Sequence, residues 1–313
     1  MNQFLQDVLT GLQSSPKHLQ SKYFYDEEGD KIFQRIMESK EYYPTNCEME
    51  IFKEQTPALA SVLKNGFDEF DLVELGAGDA TKSFYVLQQL IKNDAKFTYY
   101  PIDISSHIIS ELEKTLPQKI KGLKVKGLNG EYFEMLREAY RMSNNRKVVL
   151  FLGANIGNMP PEEAQSFCRQ LRNHLSEDDL LMVGFDLKKH PETILNAYND
   201  EEGHTREFNL NLLRRINREL NANFDPDAFD HYPSYDPATG SCKSYLISLQ
   251  KQYVTIGASE PIFFDENEYI FMEVSQKYSI REAEELALQA SFKPVKHFFD
   301  TKKWFIDSVW KCV

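Results

Sequence analysis

Two glycines one residue apart, Gly76 and Gly78, follow the apolar run DLVEL, and an acid, Asp103, ends the next apolar run, YYPID. Glycines at the exit of a buried strand let the chain turn tightly. They also let a ligand approach the backbone with no Cβ in the way. A helix expected from about Ala80 would turn its N-terminal amides toward a negative or electron-rich group. An acid at the end of the neighbouring strand can accept both ribose hydroxyls of an adenosine. The pattern describes a nucleotide-type ligand at the carboxyl end of a strand; the alternative is a simple tight turn.

Nicotinamide cofactors and S-adenosylmethionine share this device, and Thr81 separates them. It stands where a pyrophosphate-binding G-x-G-x-x-G loop has its third glycine. S-adenosylmethionine has no diphosphate, so that loss matters less. After the third strand, Glu131 and Tyr132 could flank an adenine, one accepting from its amino group and the other packing on the ring; a solvated turn fits the position as well. FLGANIGNMPP follows the fourth strand. There Gly153 leaves room for a reacting group, and Asn158 can both donate and accept, as a carboxylate or amine would require; its alternative is a turn residue.

These residues need a scaffold. With 313 residues, 42% hydrophobic and 27% charged, the chain suits one large or two smaller globular domains. A formal net charge of −12 makes nucleic acid a poor partner. Cys47, Cys168, Cys242 and Cys312 form no CxxC pair, and the histidines show no metal-ligand spacing. Reduced thiols, a cytoplasmic location and no metal are the expectations. No signal peptide and no run of eighteen or more apolar residues is present, so no membrane association is expected. No heptad or long apolar stripe argues for assembly, and the chain reads as a monomer.

From 71 to 186, strand-like runs alternate with helical patterns: DLVEL, FTYYPID, LKVKGL, KVVLFLG and DLLMVGFD. Pro160 and Pro161 suit a first helical turn. Such alternation predicts a parallel sheet with helices on both faces. Residues 187–276 break the rhythm: a helix at LNLLRRINREL, a loop-rich stretch from NANFDPDAF to DPATGS with Asp225 capping a short helix, then strands SYLISLQKQYVTI and EYIFMEVSQKYS. After it come a capping box, Ser279 with Glu282, a helix, and the hairpin strands FKPVKHFFD and KWFIDSVWKC. Five strands, then two, make the seven of an α/β class I (Rossmann-like) seven-stranded methyltransferase core, and the insert reads as a second α+β unit, a substrate-binding domain by the family resemblance given next. The expected boundaries are 47–186 plus 277–313 for the core and 1–46 plus 187–276 for the second domain.

Several stretches together resemble the histidine-specific Nα-methyltransferases of ergothioneine biosynthesis. They are SPKHLQSKYFYDEEGDKIFQRI, EYYPTNCEMEIF, LVELGAGDATKS, PIDIS, VVLFLGANIGN, GFDLKK with AYND, FNLN with INRELNANFDPDAFDH, and FMEVSQKY, in order along nearly the whole chain. The resemblance implies S-adenosyl-L-methionine as cofactor, held by Gly76, Lys82, Asp103, Glu131 and Tyr132. It implies Tyr25 and Gly153 near the substrate amine, Asn158 and Tyr198 on its carboxylate, and Tyr42, Glu273 and Ser275 around the imidazole. The family usually has Asp-Phe where this chain has Glu131-Tyr132; an acid and an aromatic remain. In SCKSYLI, Ser244 stands where bacterial members can have a larger apolar residue against the imidazole.

The implied reaction transfers methyl groups to the α-amino nitrogen of L-histidine, up to the trimethylated betaine, hercynine. A phenol titrates near pH 10 and is a poor base at neutrality, so Tyr25 is expected to orient the nitrogen. Glu273 and Ser275 are two apart on a strand and share a side. An acid with a hydroxyl beside it can bond both imidazole nitrogens. The competing readings are an N-methyltransferase of another amino acid or small amine, a nicotinamide oxidoreductase, and a non-catalytic cofactor-binding module.

Overall fold

A computed structural model describes residues 2–67 and 69–313, in two compact units: residues 44–188 with 276–313, and residues up to 43 with 189–275.

In chain order the first elements are α1 (Gln3–Gln13), β1 (Lys17–His18), α2 (Glu27–Glu38), α3 (Tyr43–Glu54) and α4 (Thr56–Lys64). The alternating region follows as β2 (Glu69–Leu75), α5 (Ser83–Lys92), β3 (Lys96–Asp103), α6 (Ser106–Lys119), β4 (Lys124–Val125), β5 (Leu128–Asn129), α7 (Tyr132–Met142), β6 (Lys147–Phe151), α8 (Pro161–His174) and β7 (Leu180–Asp186). Next come α9 (Pro191–Ala197), α10 (His204–Leu220), β8 (Phe229–Asp236), β9 (Ser241–Ser248), β10 (Gln252–Val254), β11 (Ile262–Phe264) and β12 (Tyr269–Gln276). The chain closes with α11 (Ile280–Gln289), β13 (Phe292–Phe299) and β14 (Phe305–Cys312).

In the larger unit, and among the described residues, the sheet runs β13-β14-β7-β6-β2-β3-β4, with β5 also on β3. Strands β2, β3, β4, β5, β6 and β7 pair in parallel, while β14 is antiparallel to both β7 and β13. This is the class I methyltransferase arrangement, and its reversed strand is the predicted C-terminal hairpin. The central strands are buried on both faces, which is why DLVEL, KVVLF and LLMVGFD read as largely apolar runs. The order changes direction at β2, so the exits of β2 and β6 open the crevice where α/β sheets bind ligands.

Two expectations in this unit change. LKVKGL is not one strand: the Gly127 N–H leaves the ladder to donate to Glu113 Oε1 at 2.8 Å, which splits it into β4 and β5. Helix α7 was not foreseen, although Leu136 and Ala139 give it a buried stripe. The Ser279–Glu282 capping box forms as expected, its side chain and backbone bonds both present.

The smaller unit packs α1, α2 and α10 with a sheet of order β1-β12-β9-β8 around its own apolar core, which includes Phe24, Phe208, Leu213, Phe229 and Met272. The expected strand SYLISLQKQYVTI is two strands in different sheets, because β10 leaves to pair with β11. The segment expected to be loop contains β8, an edge strand. Pro233 within it is tolerated because one side of an edge strand needs no ladder bond. Asp225 caps the short helical turn Pro226–Ala228 as read from the sequence.

Candidate functional site

The glycine loop leaves β2 with Gly76 at φ +70° and Gly78 at φ +50°, conformations that L side chains rarely adopt. A Cβ on Gly76 would lie 2.8 Å from Tyr132 Oη, whereas one on Gly78 would meet nothing within 4 Å. Gly76 therefore admits the tyrosine hydroxyl, and Gly78 keeps an open backbone surface. Asp103, at the end of β3, accepts from the Gly78 N–H at 3.2 Å and from the Ser105 N–H at 2.9 Å. A carboxylate has about four lone-pair positions, so capacity remains for a ribose diol. This fits an adenosine: a bare glycine backbone, a braced acid beside it, and an aromatic ring at Tyr132.

Tyr132 opens α7 and packs edge-on against Phe151 and Phe167, with ring centres 6.0 and 6.4 Å apart. Burial, with Asp103 and Glu131 adding to it, pushes its hydroxyl up to about 12, so it is a neutral donor. Glu131 is exposed and immediately precedes the helix. Gly76→Ala should weaken S-adenosylhomocysteine binding about tenfold, from backbone strain and a displaced Tyr132. Calorimetric titration reads this; an unchanged affinity would mean that Tyr132 does not shape the site.

Lys82 precedes α5, and its ammonium is paired with Glu48 of α3. Glu48 is 1% exposed and also accepts from the Gly153 N–H, at 2.8 Å through Oε1 and 3.0 Å through Oε2. Gly153 turns out of β6 at φ +75° and is exposed; Asn158 ends the following helical turn, also exposed. Sequence reasoning singled out Lys82 and Gly153 but missed Glu48, which lies in the quoted stretch EYYPTNCEMEIF and had no local signal of burial.

Glu74, the acid inside VELG, is buried and accepts from Tyr99 Oη at 2.5 Å. Burial raises its carboxyl to about 7, against the opposing pull of Tyr99, Ser83 and Lys82. The folded value lies above the ordinary 4.5. The folded state therefore holds a proton that the unfolded chain releases as pH rises from about 4.5 to 7. Stability should fall across that window, by about 3 kcal/mol when complete. Glu74→Gln should match the wild type at pH 4.5 and exceed it in urea midpoint at pH 8; a constant difference would contradict this.

In the smaller unit the expected substrate residues form an aromatic arc. Tyr25 is 43% exposed, with its ring edge-on to Phe33 and Phe208, both at 5.6 Å. Phe33 meets Tyr42 at 6.3 Å, and Tyr42 meets Tyr198 at 6.1 Å. Tyr198 Oη and Ser275 Oγ share a hydrogen bond of 2.7 Å. Glu273 is half-buried and lies two residues before Ser275 on β12, on the same side of the strand. Ser244 is buried on β9, with His231 Nε2 3.4 Å from its hydroxyl. Burial lowers His231 to about 4, which keeps the ring neutral at pH 7. Tyr25, Tyr42, Tyr198, Glu273 and Ser275 thus belong to this unit, while Gly153 and Asn158 belong to the larger one.

The sequence model of the histidine-specific, S-adenosylmethionine-dependent methyltransferases matches residues 4–312. A histidine N-alpha-methyltransferase of Mycobacterium tuberculosis is 34% identical, covering 87% of this chain and 83% of that protein. One of Mycolicibacterium smegmatis is 31% identical with the same coverage of both. Ergothioneine biosynthesis protein 1 of Schizosaccharomyces pombe is 29% identical over 90% of this chain, which spans 37% of that longer protein.

Proposed function

This chain belongs to the histidine-specific, S-adenosylmethionine-dependent methyltransferases, and from that premise we propose that it methylates the α-amino nitrogen of L-histidine, up to the trimethylated betaine that precedes ergothioneine. The observation that carries the substrate is the Tyr198–Ser275 hydrogen bond beside Glu273, at the end of the arc from Tyr25 through Tyr42. A hydroxyl and a carboxylate on one side of β12 match the two nitrogens of an imidazole. An apolar side chain would offer neither group a hydrogen bond, which selects against it.

When bound, S-adenosylmethionine supplies an electrophilic methyl on a sulfonium sulfur. Gly76, Gly78, Asp103, Glu131 and Tyr132 would hold its adenosine end, and Lys82 stands at the start of the helix that follows the glycine loop. Tyr198 is assigned to the substrate carboxylate, as the family resemblance implies. Tyr25 orients the amine, which must be neutral to attack. Placing the neutral amine for attack would be a large part of what these residues contribute to the rate. The growing, finally cationic head group is faced by aromatic rings, which tolerate positive charge.

We further place the enzyme in the cytoplasm, as a monomer without nucleic-acid partners. The −12 charge and four buried cysteine thiols support that placement. No helix among the described residues is long and apolar enough to cross a membrane. Methylation of another amino acid is the lesser reading, raised by Ser244 and not favoured by relatives named for histidine. Mass spectrometry of protein incubated with S-adenosylmethionine and each amino acid separately tests both. Gains of one, two and three methyls on histidine alone are expected; methylation of a different amino acid would overturn the imidazole assignment.

A further inference from the structure

Three residues far apart in sequence meet at the exit of β6, and a fourth is buried on the strand facing Gly184. Glu48 reaches from α3, Lys82 from the start of α5, Asp307 from β14, and Gly153 contributes its backbone N–H. Glu48 and Asp307 are 1% and 0% exposed. Strand β7 is shaped around them. Asp307 pairs in register with Gly184, and a Cβ on Gly184 would lie 2.6 Å from Glu48 Oε1. A glycine in the middle of the buried strand LLMVGFD weakens it; here it makes room for a carboxylate.

The charges in this cluster are decided by one another. Burial opposes the Lys82 charge, but the Glu48 carboxylate outweighs it and holds the ammonium above its ordinary range. Burial, then the neighbouring Glu48 charge, raises Asp307 well above the carboxylate range, with Lys82 pulling the other way. Two adjacent buried carboxyls with one ammonium are best satisfied by a single negative charge. Glu48 accepts from both Lys82 and Gly153, while burial and its neighbour hold Asp307 toward the protonated form. Glu74 on β2 and Tyr99 on β3 stand next in line, sharing their own short hydrogen bond.

We propose that Glu48 is a positioning residue for methyl transfer, its carboxylate tying the Lys82 ammonium to the Gly153 N–H and so fixing the exit of β6 against the start of α5. The proposal rests on the assignment of the reaction above. Without this tie, Gly153 at φ +75° and Lys82 are each free to shift, and a displacement of about 1 Å in a reacting geometry is enough to slow an in-line transfer severely. Glu48 acts through the two residues it holds and makes no contact with the reacting atoms in this account.

The test is a double-variant cycle on the full chain, with kcat, KM for histidine and thermal midpoint measured together. Glu48→Gln puts an amide N–H against one of two donors and removes the counter-charge of Lys82. Its kcat should fall at least tenfold, with KM for histidine within threefold. Glu48→Asp keeps the charge and should recover kcat in part. Asp307→Asn resembles a protonated carboxyl and should cost less than threefold alone. In the Glu48→Gln background, Asp307 and Glu74 are the described acids left to act on Lys82, so Asp307→Asn should cost a further tenfold. Equal costs in the two backgrounds, or a kcat loss that merely follows the folded fraction, would overturn the proposal. If the wild type methylates no amino acid, the reaction assignment fails instead. The same cycle read by S-adenosylhomocysteine affinity then decides the cluster: non-additive loss upholds it and additive loss overturns it.

Discussion

Asp103→Ala is expected to weaken S-adenosylhomocysteine binding about a thousandfold. Hydrogen bonds to a charged group contribute about 1.5–3 kcal/mol each. A ribose diol offers two, so the loss is about 3–6 kcal/mol, or roughly a hundredfold to ten-thousandfold. The central figure is supported by a second effect: Asp103 also braces the glycine loop through the Gly78 N–H at 3.2 Å. Asp103→Asn should lose less, because an amide oxygen can still accept from Gly78 and from one hydroxyl. Calorimetric titration separates the two variants. An Asp103→Ala protein that binds within threefold of the wild type would remove the acid from the cofactor site.

Glu273→Ala is expected to lower kcat/KM for histidine about a thousandfold and to leave S-adenosylhomocysteine affinity unchanged. A site built to hydrogen-bond a substrate group discriminates by about ten-thousandfold or more against a partner that cannot answer it. Here the missing partner is on the protein, and Ser275 remains to bond one nitrogen, which moderates the loss. Ser275 is itself held by Tyr198 Oη at 2.7 Å. Tyr198→Phe should therefore raise KM more modestly, by freeing that hydroxyl and removing a carboxylate contact. Steady-state kinetics with histidine, beside calorimetry with S-adenosylhomocysteine, distinguish these effects. Parallel loss of substrate use and cofactor binding in Glu273→Ala would sink its assignment to the imidazole.

Much of the scaffold was legible because its signals are local. Central strands buried on both faces are apolar over most of their length, so DLVEL, KVVLF and LLMVGFD announced themselves. The capping box, the proline start of α8 and the C-terminal hairpin are likewise written in a few adjacent residues. Where the reading failed, a local pattern was ambiguous. Strand β8 carries two aspartates and a proline, which read as loop until its place at a sheet edge is known. SYLISLQKQYVTI reads as one strand, but Ser248 and Gln252 turn the chain through bonds to Gln250 and to each other.

The candidate site divides the same way. By itself the sequence determined a glycine turn, an acid one strand away, a polar pair on β12 and a family-wide set of matching segments. Each of these needs only neighbours in the chain or a fixed strand period. The tertiary structure alone decided that Glu48, Lys82 and Gly153 meet, that Gly184 yields its side chain to admit a carboxylate, and that Asp307 is buried on the facing strand, its carboxyl raised by that burial. No spacing encodes those outcomes. They follow from burial, where water no longer screens the charges and each carboxyl's protonation is set by whichever groups the fold has placed within a few ångströms of it.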